Sequence, residues 1–253
     1  MKNKPILIIA GEPYGIFSEI FFKVLKKKII KTPIILIASK KLMSMQMKEL
    51  GYNFNFKLLD KNLNQVKYID NKMINIINVD FKFKKVFDKI SDKSNKYIQE
   101  SFKIALELIQ NKECSGLING PISKKNFLKS KFLGITEYLA SKTNKTNKVA
   151  MLIYNKKLSV SPITTHLPLK NVHKSLSKQK IINHVNLIIK FYKKNFRKNP
   201  KIAITGLNPH CESNYKSSEE KRIIEPAIRA LVKKKKKSLW PVCSRYNIYG
   251  GAI

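Results

Sequence analysis

The sequence predicts an α/β fold built on a largely parallel sheet. Short apolar runs of strand length alternate with longer segments whose apolar residues recur at helical spacing. Turn-forming residues follow two of those runs directly, as Gly11-Glu12-Pro13 and as Gly120-Pro121. A chain of 253 residues, 43% of them hydrophobic, is long enough for one large core or two modest ones.

Residues 5–10 read as the first strand. Residues 16–27 read as a helix that gathers Phe17, Ile20, Phe21, Val24 and Leu25 on one face. A second strand at 33–38 precedes a helix at 40–50, and 74–79 is a third strand. The clearest helical periodicity lies in 92–111, through Tyr97, Ile98, Phe102, Ala105, Leu106 and Ile109. Residues 116–119 form a short buried strand ending at Gly120-Pro121, and Gly134 begins a further helix. Residues 149–154 and 158–163 read as an antiparallel pair joined through Asn155-Lys156-Lys157. A helix at 177–194, a strand at 201–205 and a helix at 219–232 follow, and the one low-complexity stretch is the lysine run 233–237. The expected division is an α/β subdomain at 1–125, a second subdomain at 126–232, and a tail at 233–253.

Lys and Arg number 51 against 16 Asp and Glu, a formal charge of +35. Nearly all the excess is lysine, scattered along the chain with no nucleic-acid module beside it, so nucleic acid is disfavoured as the main partner. The charge instead favours anionic metabolites. No apolar run is long enough for a membrane span, and the 6–10 run is too short for a signal sequence. Three cysteines without paired spacing fit a reducing, cytoplasmic setting.

Gly11-Glu12-Pro13-Tyr14-Gly15 lies between the first strand and the first helix, where open α/β sheets build ligand crevices. Neither G-x-G-x-x-G nor G-x-x-x-x-G-K-[ST] occurs, and the simpler reading of the segment is a tight glycine turn. Asn119-Gly120-Pro121-Ile122-Ser123-Lys124 opens a short helix. Its backbone N–H groups with Ser123 and Lys124 suit a phosphate, or equally a capped helix beside a solvated lysine. Thr136 offers a hydroxyl to a ligand or, more simply, caps its helix. His166 and His210, 44 positions apart, each follow an apolar run that reads as a buried strand. Imidazoles delivered from strand ends are a common way to hold a divalent metal, although a single histidine is more often structural. His173 and His184 read as structural, Cys211 as incidental, and Glu219-Glu220 as the negatively charged first turn of a helix.

Taken in order, G-E-P-Y-G-I-x-x-E-I (residues 11–20), N-G-P-I-S-K (119–124), G-I-T-E-Y-L-A (134–140), T-T-H-L-P-L (164–169) and G-L-N-P-H…E-E…I-I-x-P-A-I (206–228) resemble the 4-hydroxythreonine-4-phosphate dehydrogenase family of pyridoxal phosphate synthesis. The resemblance implies an isocitrate/isopropylmalate dehydrogenase-like fold with two subdomains around the sheet, and a homodimer. It implies NAD as hydride acceptor and a divalent metal (Zn, Mg or Co) with His166 and His210 as two of its ligands. Thr136 corresponds to a substrate-binding threonine, and Lys124 is the second substrate-binding candidate. The implied reaction oxidises and decarboxylates 4-phosphooxy-L-threonine to 3-amino-2-oxopropyl phosphate. No catalytic base and no NAD-binding residue is assigned.

The chain departs from the family pattern in several places. Ile135 stands where the family carries histidine, Glu12 where aspartate is usual, and Phe17-Ser18 where Gly-Pro is usual. The H-D-Q-G block that bears the third metal histidine is absent, and from Ser238 onward the family pattern is lost. The expectation is a C-terminally truncated copy arising from a frameshift in the lysine-coding tract. The alternatives are a dehydrogenase of a phosphorylated sugar acid (threonate or erythronate phosphate), an inactive truncated remnant, and a basic nucleic-acid-binding protein.

Overall fold

The computed structural model describes residues 4–61, 63, 69–129, 131–146, 148–208, 215–233 and 239–242, the last four as backbone only. The chain divides into two compact units, Met1–Phe132 and Leu133–Ile253. The division lies seven residues beyond the boundary at 125 expected from the sequence. Phe127 and Leu128 are buried, and the Phe127 ring stacks on Phe102 of the first unit at 6.2 Å.

The first unit is a five-stranded parallel sheet in the order β3-β4-β2-β1-β5, with β1 at Ile6–Ile9, β2 at Ile34–Ala38, β3 at Phe56–Leu59, β4 at Ile74–Asn78 and β5 at Gly116–Asn119. Strand β2 is buried along its whole length, as its unbroken apolar run requires of a central parallel strand. Its alternate residues serve opposite faces. Ile34, Leu36 and Ala38 pack with Phe17, Phe21 and Phe22 of α1 (Phe17–Lys27) and with Met43 and Met47 of α2 (Lys40–Glu49). Helix α3 (Asn95–Gln110) packs on β1, β2 and β5 with Ile98, Phe102 and Ala105 buried. Ser39 caps α2, its hydroxyl accepting the Leu42 N–H at 3.4 Å.

Strand β3 has no counterpart in the sequence expectations. Its edge position leaves it half exposed, so Phe56-Lys57-Leu58-Leu59 shows neither strict alternation nor a long apolar run. Strand order changes direction about β1, because the chain passes to β2 on one side and returns to β5 on the other. The loops after β1 and β5 therefore flank a topological switch point, the usual crevice of such sheets.

The second unit holds α4 (Ile135–Lys142), the short α5 (Leu169–Val172), α6 (Lys178–Phe196) and α7 (Glu225–Lys233). It also holds the parallel pair β6 (Ile202–Thr205) and β7 (Leu239–Val242). Its core is a seam of Ile181, Val185 and Ile189 from α6 against Ala227, Ile228 and Leu231 from α7. Ser177 caps α6, its hydroxyl accepting the Lys180 N–H at 3.2 Å.

The expected strand pair at 149–154 and 158–163 is a correction. It reduces to one antiparallel bridge, Ile153 to Val160, closed by an Asn155 turn whose side chain accepts the Lys157 N–H at 2.8 Å. Among the described residues no third strand pairs with either arm, so Leu158 is 71% exposed and neither face is buried. Residues 220–224 form one wide helical turn that runs directly into α7, inside the continuous helix that the sequence pattern places at 219–232.

Candidate functional site

Two polar centres emerge, one in each unit. In the first, the loop after β1 closes on the loop after β5. The Glu12 N–H donates to the Pro121 carbonyl at 2.8 Å, and the Gly120 N–H donates to Ile9 at 2.7 Å. Both glycines are required by contact. A Cβ on Gly11, which sits at φ +77°, would lie 2.4 Å from the Pro121 oxygen, and one on Gly120 would lie 2.2 Å from the Ala10 oxygen. The sequence motifs at 11–15 and 119–124 thus form one structural object.

Glu12 is 2% exposed, and its Oε2 lies 3.1 Å from the Ser94 hydroxyl while Oε1 meets no donor among the described residues. Burial raises its pKa above the ordinary value, and burial is the largest cause. Gln46, also buried, donates to the Pro13 carbonyl at 2.8 Å and fixes the loop from α2. Ser123 caps a single wide turn, Lys124–Leu128, accepting the Asn126 N–H at 3.2 Å, and Lys124 is exposed. This is the capped-turn geometry, and a five-residue turn offers little helix dipole to an anion.

In the second unit, His166 does not follow a buried strand. It ends an irregular, half-exposed segment with left-handed backbone, φ +55°, and its imidazole is exposed. A non-glycine residue in that region carries strain that neighbouring structure must hold. Thr165 supplies one tether, its hydroxyl donating to Glu137 Oε1 at 3.4 Å. Glu137 Oε2 is buried with no partner among the described residues. Gly134 separates the two groups: a Cβ there would be 3.1 Å from Glu137 Oε2 and 4.0 Å from His166 Cδ2. The blocks at 134–140 and 164–169 are therefore neighbours in space. Thr136 does not cap α4. Gly134 occupies the cap position without a side-chain bond, and Thr136 is half buried in the first turn.

His210, Cys211 and Cys243 lie outside the described residues, and with them the expected meeting of His166 with His210. Among the described residues no three His, Cys, Asp or Glu side chains converge as a metal set. The chain leading to His210 is nonetheless held. Glu220, 4% exposed, accepts at Oε1 from the Leu207 N–H at 3.1 Å, the Asn208 N–H at 3.2 Å and the Asn208 side-chain amide at 3.1 Å. Sequence reasoning missed this role by treating Glu219-Glu220 as the negatively charged first turn of a helix. The available signal was a buried-helix pattern, with Ile224, Ala227 and Ile228 at helical spacing beyond Glu220.

His184 is structural, as its sequence context suggests. It is 8% exposed and its Nε2 lies 2.7 Å from the Ser161 hydroxyl, which itself donates to the Met151 carbonyl. Ser161 is thus the acceptor from the imidazole and not a nucleophile served by it. Cys114 is buried and its thiol is pushed up to about 11, chiefly by burial, which leaves it an inert thiol at neutral pH. Among the described residues no helix is long and apolar enough to cross a membrane.

Residues 30–243 match the family model described as pyridoxal phosphate biosynthetic protein PdxA. The match runs past the lysine run and through β7. The 4-hydroxythreonine-4-phosphate dehydrogenase of Sulfurihydrogenibium sp. (strain YO3AOP1) is 38% identical over 232 residues, which cover 89% of this chain and 70% of that protein. The protein of the same name from Wigglesworthia glossinidia brevipalpis is 30% identical over 237 residues, covering 91% and 70%. In structure, the chain superposes on the 4-hydroxythreonine-4-phosphate dehydrogenase of Klebsiella pneumoniae with a TM-score of 0.80 at 23% identity, covering 95% of this chain and 75% of that one. The isocitrate dehydrogenase-like α/β architecture is therefore the fold. With the blocks at 11–15 and 119–124 adjacent within the first unit and those at 134–140 and 164–169 adjacent within the second, the chain belongs to the pyridoxal phosphate biosynthetic protein PdxA family of dehydrogenases.

Proposed function

We propose that this chain oxidises 4-phosphooxy-L-threonine at C3 with NAD and a divalent metal (Zn, Mg or Co), with loss of CO₂, to give 3-amino-2-oxopropyl phosphate. The supporting observation is the 38% identity, across 89% of the chain, to a relative named for that dehydrogenation. The hydride leaves C3 for NAD and the hydroxyl proton passes to solvent; the carboxylate then departs as CO₂, and the electron pair left on C2 takes up a proton, so no net proton is released.

His166 fits a metal ligand in its chemistry. Its exposed imidazole makes no hydrogen bond among the described residues, and its backbone is held in a strained conformation near Glu137, whose Oε2 is buried. His210 is the second proposed ligand, and Glu220 holds the backbone two residues before it. The bound ion would supply positive charge against the substrate hydroxyl and NAD would take the hydride. The chain's own groups bind and orient: Thr136 offers its hydroxyl to the substrate, and Lys124 offers an ammonium to its phosphate. A homodimer and a cytoplasmic setting belong to the same reading. So does a division of labour in which the first unit carries the β1 crevice and the second carries the metal ligands.

Purified chain, stripped with chelator and reloaded with each metal, is assayed for NADH formation. Metal-dependent turnover of 4-phosphooxy-L-threonine is the expected result. Turnover of threonate or erythronate 4-phosphate instead would favour the sugar-acid reading, which the apolar Ile135 in the first turn of α4 supports. No turnover with any of the three substrates sinks the catalytic proposal.

A further inference from the structure

The Ser94 hydroxyl holds one hydrogen and has two oxygen neighbours. It lies 2.9 Å from the Ser91 carbonyl and 3.1 Å from Glu12 Oε2. A carbonyl can only accept, so the Ser94 hydrogen serves the shorter contact, the one to Ser91. The contact to Glu12 then lacks a proton unless the carboxyl carries it. We infer that Glu12 acts as a neutral carboxylic acid that donates its proton to Ser94, and that this bond positions the 11–15 loop on the start of α3.

The surroundings agree. Glu12 is 2% exposed, and among the described residues no lysine or arginine lines the narrow cleft around it, which is walled by Ser18, Ser39, Gln46 and Tyr97. The titratable groups facing it are Tyr14 on its own loop and Tyr97 on α3. Both are pushed above their ordinary values by burial first, so both are neutral and neither offsets a negative charge. Among the described residues, Ser18 of α1, Ser39 at the cap of α2 and Gln46 of α2 are the polar groups that line it from those helices. An ionised Glu12 would leave Oε1, which has no donor among the described residues, as a buried charged oxygen. Burial raises the carboxyl pKa from its ordinary 4.5. A bond donated by Ser94 would oppose that rise, whereas one donated to Ser94 reinforces it. Glutamate is also the acid that reaches: aspartate, one methylene shorter, would stop short of Ser94 without a backbone shift. The same residue's N–H holds Pro121, so the neutral acid ties α3 to both loops of the switch point.

The test is infrared spectroscopy of the full chain across about pH 5 to about pH 9, with urea denaturation of wild type and Glu12→Gln over the same range. Glu12→Gln keeps a donor toward Ser94 and cannot ionise. The expected spectrum shows a protonated-carboxyl C=O band in wild type at neutral pH, missing in Glu12→Gln and shifted in Ser94→Ala. The folded state binds the extra proton, so the wild-type folding equilibrium should fall relative to Glu12→Gln as pH rises above the ordinary carboxyl pKa, by up to about tenfold per pH unit. A wild-type spectrum without that band near neutral pH overturns the inference, and so does a ratio of the two folding equilibria that stays constant with pH. An unshifted band in Ser94→Ala overturns Ser94 as the acceptor. Should Glu12→Gln fail to fold, the wild-type band and its titration decide alone.

Discussion

Glu220 and Asn208 are joined twice through one oxygen: Glu220 Oε1 accepts both the Asn208 N–H at 3.2 Å and its side-chain amide at 3.1 Å. A buried carboxylate spent on a loop corner, with the Leu207 N–H as a third donor, is a device for fixing backbone direction. Glu220→Ala leaves those donors without their acceptor and should cost about 2–3 kcal/mol in urea denaturation. Glu220→Gln retains an acceptor oxygen and should cost less. Amide exchange at Leu207 and Asn208 checks the cause, since both should lose protection in Glu220→Ala while the α3 amides do not.

Gly120→Ala drives a methyl into the Ala10 carbonyl, a backbone atom with no route of escape. A loss on the order of 3 kcal/mol or more is expected. Gly51 serves as the comparison, because it has φ +72° but a Cβ added to it would meet nothing within 4 Å. Gly51→Ala should cost only the backbone strain, about 1 kcal/mol. Similar losses at the two sites would show that the close approach of β1 and β5 is not what fixes Gly120.

His166 is held at φ +55°, so replacing it with glycine relieves strain while removing an imidazole. His166→Gly should keep stability within about 1 kcal/mol of wild type, on either side. Divalent cobalt affinity, read by equilibrium titration, should fall at least about tenfold. Unchanged affinity would remove His166 from the metal site whatever the activity data say.

The His184 pKa lies below the ordinary 6.5, through burial first and then the Lys180 charge. The folded state therefore resists a proton that the unfolded chain accepts. The stability that neutral His184 contributes is complete above that ordinary value and is lost as pH falls below it toward the folded pKa. Denaturation midpoints should decline from about pH 7 to about pH 5, and His184→Gln should flatten that decline. Equal slopes in the two proteins would mean that other groups control it.

The sequence by itself determined the β1, β2 and β4 strands and the α1, α2, α3 and α6 helices, because each carries a period that burial on one or two faces imposes on residue order; β5 was legible only as a short apolar run before Gly120-Pro121, and as an edge strand with Ile118 54% exposed it is not the buried strand expected. It also determined the family, through blocks of local chemistry that need no coordinates to be read. Tertiary structure decided the rest. The edge strand β3 is half solvated and leaves no clean period, and the arms around Ile153 and Val160 hold strand-like residues but have no third strand to pair with among the described residues. The same limit governs the polar centres. Whether Glu12, Glu137 and Glu220 are solvated or buried depends on which loops and helices close over them. A carboxylate has the same letter in both settings, and only the fold removes the water that makes it an ordinary surface charge.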